Sequence, residues 1–150
     1  MTELRFYHLQ DQRLDRVLPQ LLEISLSRGW RVVVQAASEE RVEALDAQLW
    51  TYRDDSFLPH GTARNADAPE QPVLITANDV NPNGANVRFL IDGVPIPDDA
   101  KSYERLVLIF DGNDDEAVAL ARERWTQAKS QGFEASYWQL DENGRWVQKA

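Results

Sequence analysis

Apolar and polar positions alternate between two periods along this chain, and the switches between them mark its elements. Residues 4–9 (LRFYHL) mix aromatics with leucines and predict a first strand. Leu14, Val17, Leu18, Leu21, Leu22 and Ile24 then recur at helical spacing, up to a stop at Gly29. Pro19 falls inside that pattern, which predicts either a kink or a later helix start. Residues 30–36 (WRVVVQA) are β-branched and apolar, the pattern of a central strand. Ser38 is placed to cap a second helix whose stripe is Val42, Leu45, Leu49 and Trp50. The opening β-α-β-α order predicts a layered α/β fold with parallel strand pairs.

The middle of the chain is less periodic. Residues 51–61 (TYRDDSFLPHG) read as an ordered loop, and 62–71 (TARNADAPEQ) as an exposed, mobile connection. Short strands are expected at 72–76 (PVLIT) and 87–91 (VRFLI), separated by the turn cluster 78–86. Pro95 and Pro97 break the chain again. Residues 106–110 (LVLIF) are the most apolar run and predict a buried strand. An acidic turn, 111–115, leads into a long helix expected over 114–131. A strand at 133–140, a hairpin turn at 141–144 (DENG) and a short return strand at 145–148 complete the order. The length of 150 residues suits one domain, taken as 1–150, and no internal repeat is visible.

Composition removes several chemistries. There is no cysteine, and His8 and His60 are the only histidines, so thiolate chemistry and a histidine-rich metal site are excluded. The N-terminus lacks a basic segment followed by an apolar run, and no run is long enough to span a membrane. A cytoplasmic protein without membrane contact is the expectation. The net charge of -9 disfavours direct contact with nucleic-acid phosphate. That charge is uneven: residues 1–117 have 11 basic and 21 acidic side chains, residues 118–150 have 5 and 4.

No GxGxxG follows the first strand and no GxxxxGK[ST] occurs. Asp111-Gly112-Asn113 lies where α/β folds hold ligands, so a small nucleotide-binding protein or enzyme with its site after Phe110 is one reading. The acidic neighbours Asp114, Asp115 and Glu116 would repel phosphate there. His60 with Ser56 and Asp55 can be assembled into a triad on paper, but adjacent loop residues supply no oxyanion hole. A loop histidine bonded to backbone is the simpler reading, and His8 reads as a core or edge residue of its strand. The carboxylate pairs Asp54/Asp55 and Asp98/Asp99 read as solvated. No cofactor is implied.

The crowded stretch is 120–138 (LARERWTQAKSQGFEASYW). Arg122, Trp125 and Lys129 lie close to one helix face, with Trp125 also on the apolar stripe of Ala117, Val118, Ala121 and Ala128. The face reads either as a shallow groove for an anion with an apolar group or as a solvated helix surface. Tyr137 and Trp138 must point to opposite faces of their strand, so one of them can face outward.

In order along the chain, FYHL at 6–9, GWRVVV at 29–34, LDAQLWTY at 45–52, SFLPHG at 56–61, PVLIT at 72–76, the strand at 106–110 and ARERW…GF at 121–133 resemble the chi subunit of bacterial DNA polymerase III holoenzyme. The resemblance implies a three-layer α/β/α, Rossmann-like domain that is not an enzyme. It implies an adaptor between the clamp loader, reached through the psi subunit, and the single-stranded DNA-binding protein, whose acidic C-terminal tail it grips. DNA would then be reached only indirectly. By position the implied tail site falls on Arg122 and Trp125. One turn earlier, where one member of that family has a lysine, this chain has Val118, and Lys129 or Arg124 would compensate.

Overall fold

A computed structural model describes residues 2–51 and 58–150. The strands are β1 (Glu3–Leu9), β2 (Val32–Gln35), β3 (Gly61–Thr62), β4 (Val73–Thr76), β5 (Val87–Leu90), β6 (Arg105–Asp111), β7 (Glu134–Leu140) and β8 (Trp146–Gln148). The helices are α1 (Leu14–Ser27), α2 (Glu39–Thr51) and α3 (Asp115–Ser130). The strands form one sheet in the order β3-β4-β2-β5-β6-β1-β7-β8, parallel except for the β7–β8 hairpin. The expected α/β sheet with parallel strand pairs is present, and the antiparallel β8 makes it a mixed one. Among the described residues, no helix is long and apolar enough to cross a membrane.

Period-2 alternation divides the strands between two cores. Tyr7, Val34, Phe89 and Ile109 face α1 and α2, which contribute Leu18, Leu22 and Leu45. Leu4, Phe6, Val33, Leu90 and Leu108 face the other layer, where Ala121 and Ala128 of α3 are buried together with Val94, Ile96 and Tyr103. The three layers of the expected fold are therefore present.

Several sequence-based expectations change. Helix α1 starts at Leu14 and continues through Pro19, so the proline does not delay it. Val17, Leu18, Leu21 and Leu22 are buried around it, and that burial outweighs the missing backbone hydrogen bond. Trp50 is half exposed rather than on the buried stripe, which is Val42, Leu45 and Leu49. Residues 63–67 are exposed as expected, but the stretch is anchored rather than loose. Gly61 and Thr62 pair with Leu74 and Ile75, Ala63 N–H donates to Ile75 O (3.1 Å), and Ala68 is buried. Short polar residues carry no periodic signal, yet Thr62 Oγ1 and Asn65 Oδ1 close the turn at 2.9 Å. Residues 52–57, with Asp54, Asp55 and Ser56, lie outside the described residues.

One buried cation ties the strand ends to the connections above them. Arg88 on β5 is fully buried. Its Nε and Nη2 donate to Gln35 Oε1 (3.1 and 2.7 Å), and its Nη2 also donates to Asn78 O (2.9 Å). Nη1 donates to Val80 O (2.9 Å) and the Tyr103 hydroxyl (3.0 Å). All five donors are used, which is what makes a buried guanidinium tolerable. Arg88→Ala strands these acceptors in the interior and should lower the unfolding free energy by about 3 kcal/mol. Urea denaturation measures this; a loss under about 1 kcal/mol would mean the network is replaceable.

Candidate functional site

Helix α3 crosses from β6 to β7 and must pass over β1, which pairs with both. Asp114 caps it, accepting from Glu116 N–H (3.0 Å) and Ala117 N–H (3.3 Å), and Gly132 turns the chain out at φ 81°. The expected helix, 114–131, thus differs from α3 by one residue at each end. Register sets Phe6 beside Leu108 and Tyr137, and His8 beside Phe110 and Gln139. Above these residues, α3 presents Val118, Ala121, Arg122, Trp125 and Thr126. A cavity of about 470 Å³ remains between helix and sheet, lined by all five, by Phe6, His8, Phe110 and Tyr137, and by Ala150.

The candidate residues separate in this geometry. Arg122, Trp125, Val118 and Tyr137 come together around the cavity. Trp125 is half-buried, edge-on to Phe6 (centroids 5.3 Å) and to Tyr137 (6.3 Å). Lys129 does not line the cavity; its ammonium sits 5.0 Å from the Trp125 ring centre, a cation–π contact. Arg124 points to the other flank of α3, where it lines a second cavity with Leu120 and Ala117. Arg122 is exposed and is the only Lys or Arg lining the first cavity among the described residues.

Sequence reasoning missed Phe6, His8, Phe110, Thr126 and Ala150. Phe6 and His8 are two apart on β1 and therefore share the α3 face, a usable signal once the strand is assigned. His8 is more than an edge residue. The Tyr137 hydroxyl hydrogen-bonds to its Nδ1, and the Gln139 amide donates to the same atom at 3.3 Å. An amide nitrogen only donates, so Nδ1 accepts and the imidazole is neutral in this arrangement. Its other nitrogen lies over Gly112, where a Cβ would come within 1.8 Å of Nε2. Glycine is required there by close approach. Burial pushes His8 below its ordinary 6.5, against the pull of Asp111. Burial raises the Tyr137 phenol, opposed by a hydrogen bond with Gln139 and by the charge of Arg122.

The second cavity, about 760 Å³, opens at the C-terminal ends of β1 and β6. Chain connections leave these strands in opposite directions, the usual ligand position of an α/β sheet. It includes the loop after Phe110. Its lining has five carboxylates, Asp11, Asp92, Asp111, Asp114 and Glu116, against Arg13 and Arg124. Asp92 is already paired with Arg41 (3.0 Å) and Arg13 with Asp15 (3.1 Å). That balance disfavours a phosphate. His60 is buried, with Nδ1 2.7 Å from Leu58 O and Nε2 3.1 Å from Asp46 Oδ1 and 3.2 Å from Asp46 O. These contacts are the backbone bonding expected of a loop histidine, with a carboxylate added.

The His8 arrangement has a pH consequence. The folded state favours neutral His8, while the unfolded chain takes up a proton near 6.5. Its contribution to stability is therefore present above that value and is lost as pH falls below it. Denaturation midpoints should fall from about pH 7.5 to about pH 5.5 more steeply in wild type than in His8→Gln. Equal slopes would show that His8 is not the group responsible.

Sequence comparison places the chain in a family. Residues 1–136 match the model of the DNA polymerase III chi subunit, HolC. A probable DNA polymerase III subunit chi of Rickettsia prowazekii (strain Madrid E) is 26% identical over 117 residues, covering 74% of this chain and 71% of the relative. The DNA polymerase III subunit chi of Haemophilus influenzae is 27% identical over 110 residues, covering 72% and 74%. That of Pseudomonas aeruginosa is 34% identical over 74 residues, covering 46% and 51%. With all but its last 14 residues inside the family match, this chain belongs to the DNA polymerase III chi subunit family.

Proposed function

We propose that the groove between α3 and β7 grips the acidic, apolar-ended C-terminal tail of the single-stranded DNA-binding protein. In this reading the chain is a non-catalytic adaptor of the polymerase III clamp loader, reached through psi where psi is present. It meets DNA only through the tail's owner.

The observation behind this is the pairing of an exposed guanidinium with an aromatic cavity in a chain of net charge -9. Arg122 can hold a terminal carboxylate in a two-pronged hydrogen bond. The cavity beside it, walled by Phe6, Phe110, Val118, Trp125 and Tyr137, suits one bulky apolar side chain. Lys129, above Trp125, adds positive potential for acidic residues further up the tail. A short peptide in an open groove should bind at about micromolar affinity and weaken with salt. The acid-rimmed cavity after Phe110 supports a nucleotide site less well, because its carboxylates outnumber its arginines.

Arg122→Glu should weaken a peptide of that tail by more than about tenfold, an effect of about 1.4 kcal/mol. Isothermal titration at low salt measures it. An unchanged affinity would place the site elsewhere on the surface.

A further inference from the structure

The family match ends at residue 136, but the chain continues through β7, a turn and β8. This hairpin does not stop at Gln148. Lys149 N–H donates to Tyr137 O at 2.7 Å, and Tyr137 N–H donates to Ala150 O at 3.2 Å. Two residues therefore oppose one, the pattern of a β-bulge. Trp138 pairs with Gln148, so Tyr137 stands opposite Lys149 and Ala150.

Residues opposite each other on paired strands share a face. Trp138 packs with the α1 and α2 core, Tyr137 with the α3 core. Lys149 thus belongs to the α3 side of the sheet, beside Tyr137, and it is exposed. Ala150 confirms the direction of this segment, because it lines the same cavity as Arg122 and Trp125. The hairpin closes the groove on the side across from the helix. An acidic peptide has more than one carboxylate to satisfy, and Arg122 is the only Lys or Arg in the cavity lining among the described residues. Lys149 pairs with Tyr137 on the wall across from the helix that carries Arg122 and Lys129, so a peptide leaving the cavity over the end of β8 would pass its charge.

We propose that the hairpin is a working wall of the groove and that Lys149 pairs with an upstream carboxylate of the docked acidic peptide. This inference rests on the reading of the groove as a tail site. Lys149→Glu should lower peptide affinity by about three- to tenfold at low salt, with the gap to wild type closing as salt rises. Lys149→Arg should keep wild-type affinity. A purely structural role for the strand would not produce that salt dependence, and thermal unfolding of each variant checks that the hairpin is intact.

The controls separate the two ideas. If wild type binds, Arg122→Glu loses binding and Lys149→Glu matches wild type at every salt concentration, the hairpin's role is overturned and the groove stands. If wild type does not bind the acidic peptide at all, both are overturned.

Discussion

The placement of β1 between β6 and β7 is the constraint from which the rest of this molecule follows. A chain leaving β6 for a parallel β7 must cross β1, and α3 is that crossing. The helix buries Ala121 and Ala128, residues small enough to let its backbone approach the sheet. Trp125, between them in sequence, is too large to follow them in and stays half-buried at the seam against Phe6. The groove lies alongside Trp125 and Tyr137, whose rings meet edge-on. Its floor belongs to β1, its far wall to β7, and its cation to the exposed side of α3.

That arrangement also explains why the groove is firm. His8 sits under Tyr137 and against Phe110, held from below by the close approach of Gly112. The phenol that lines the groove is thus fixed by a neutral imidazole, and the imidazole by a glycine at the start of the crossing. Arg88 performs a comparable task on the same side of the sheet, fastening the connections at Asn78, Val80 and Tyr103 to β2 and β5. Both devices use polar side chains with partners far away in sequence.

Those long separations decide what was legible in the sequence. β2, β5, β6 and α3 could be read from local periodicity, because each buries a continuous run or stripe. The hairpin turn at 141–144 could be read from turn chemistry, and Gly144 does adopt φ 76°. β3 could not, since two residues at a sheet edge have no pattern until β4 is beside them. Trp50 was misplaced because it follows Leu49 on the helix and so turns out of the stripe that Leu49 completes. On α3, helical spacing put Arg122 close to Trp125, and both line the same cavity. It could not show that Arg124 serves the opposite flank, or that the strand register sets His8 and Phe110 beneath the groove. Ala150 was invisible for the same reason: only the β7–β8 ladder brings it there.

Trp125 gives the most direct test of the groove assignment, because Trp30, Trp50, Trp138 and Trp146 report on other parts of the surface. Nitrogen-15 labelling of the tryptophan indoles, followed by titration with the acidic, apolar-ended tail peptide, resolves them one by one. The Trp125 indole signal should move with peptide concentration while those of Trp30 and Trp50 stay in place. Movement of Trp50 with Trp125 unchanged would contradict the groove assignment and put the peptide at the other end of the sheet.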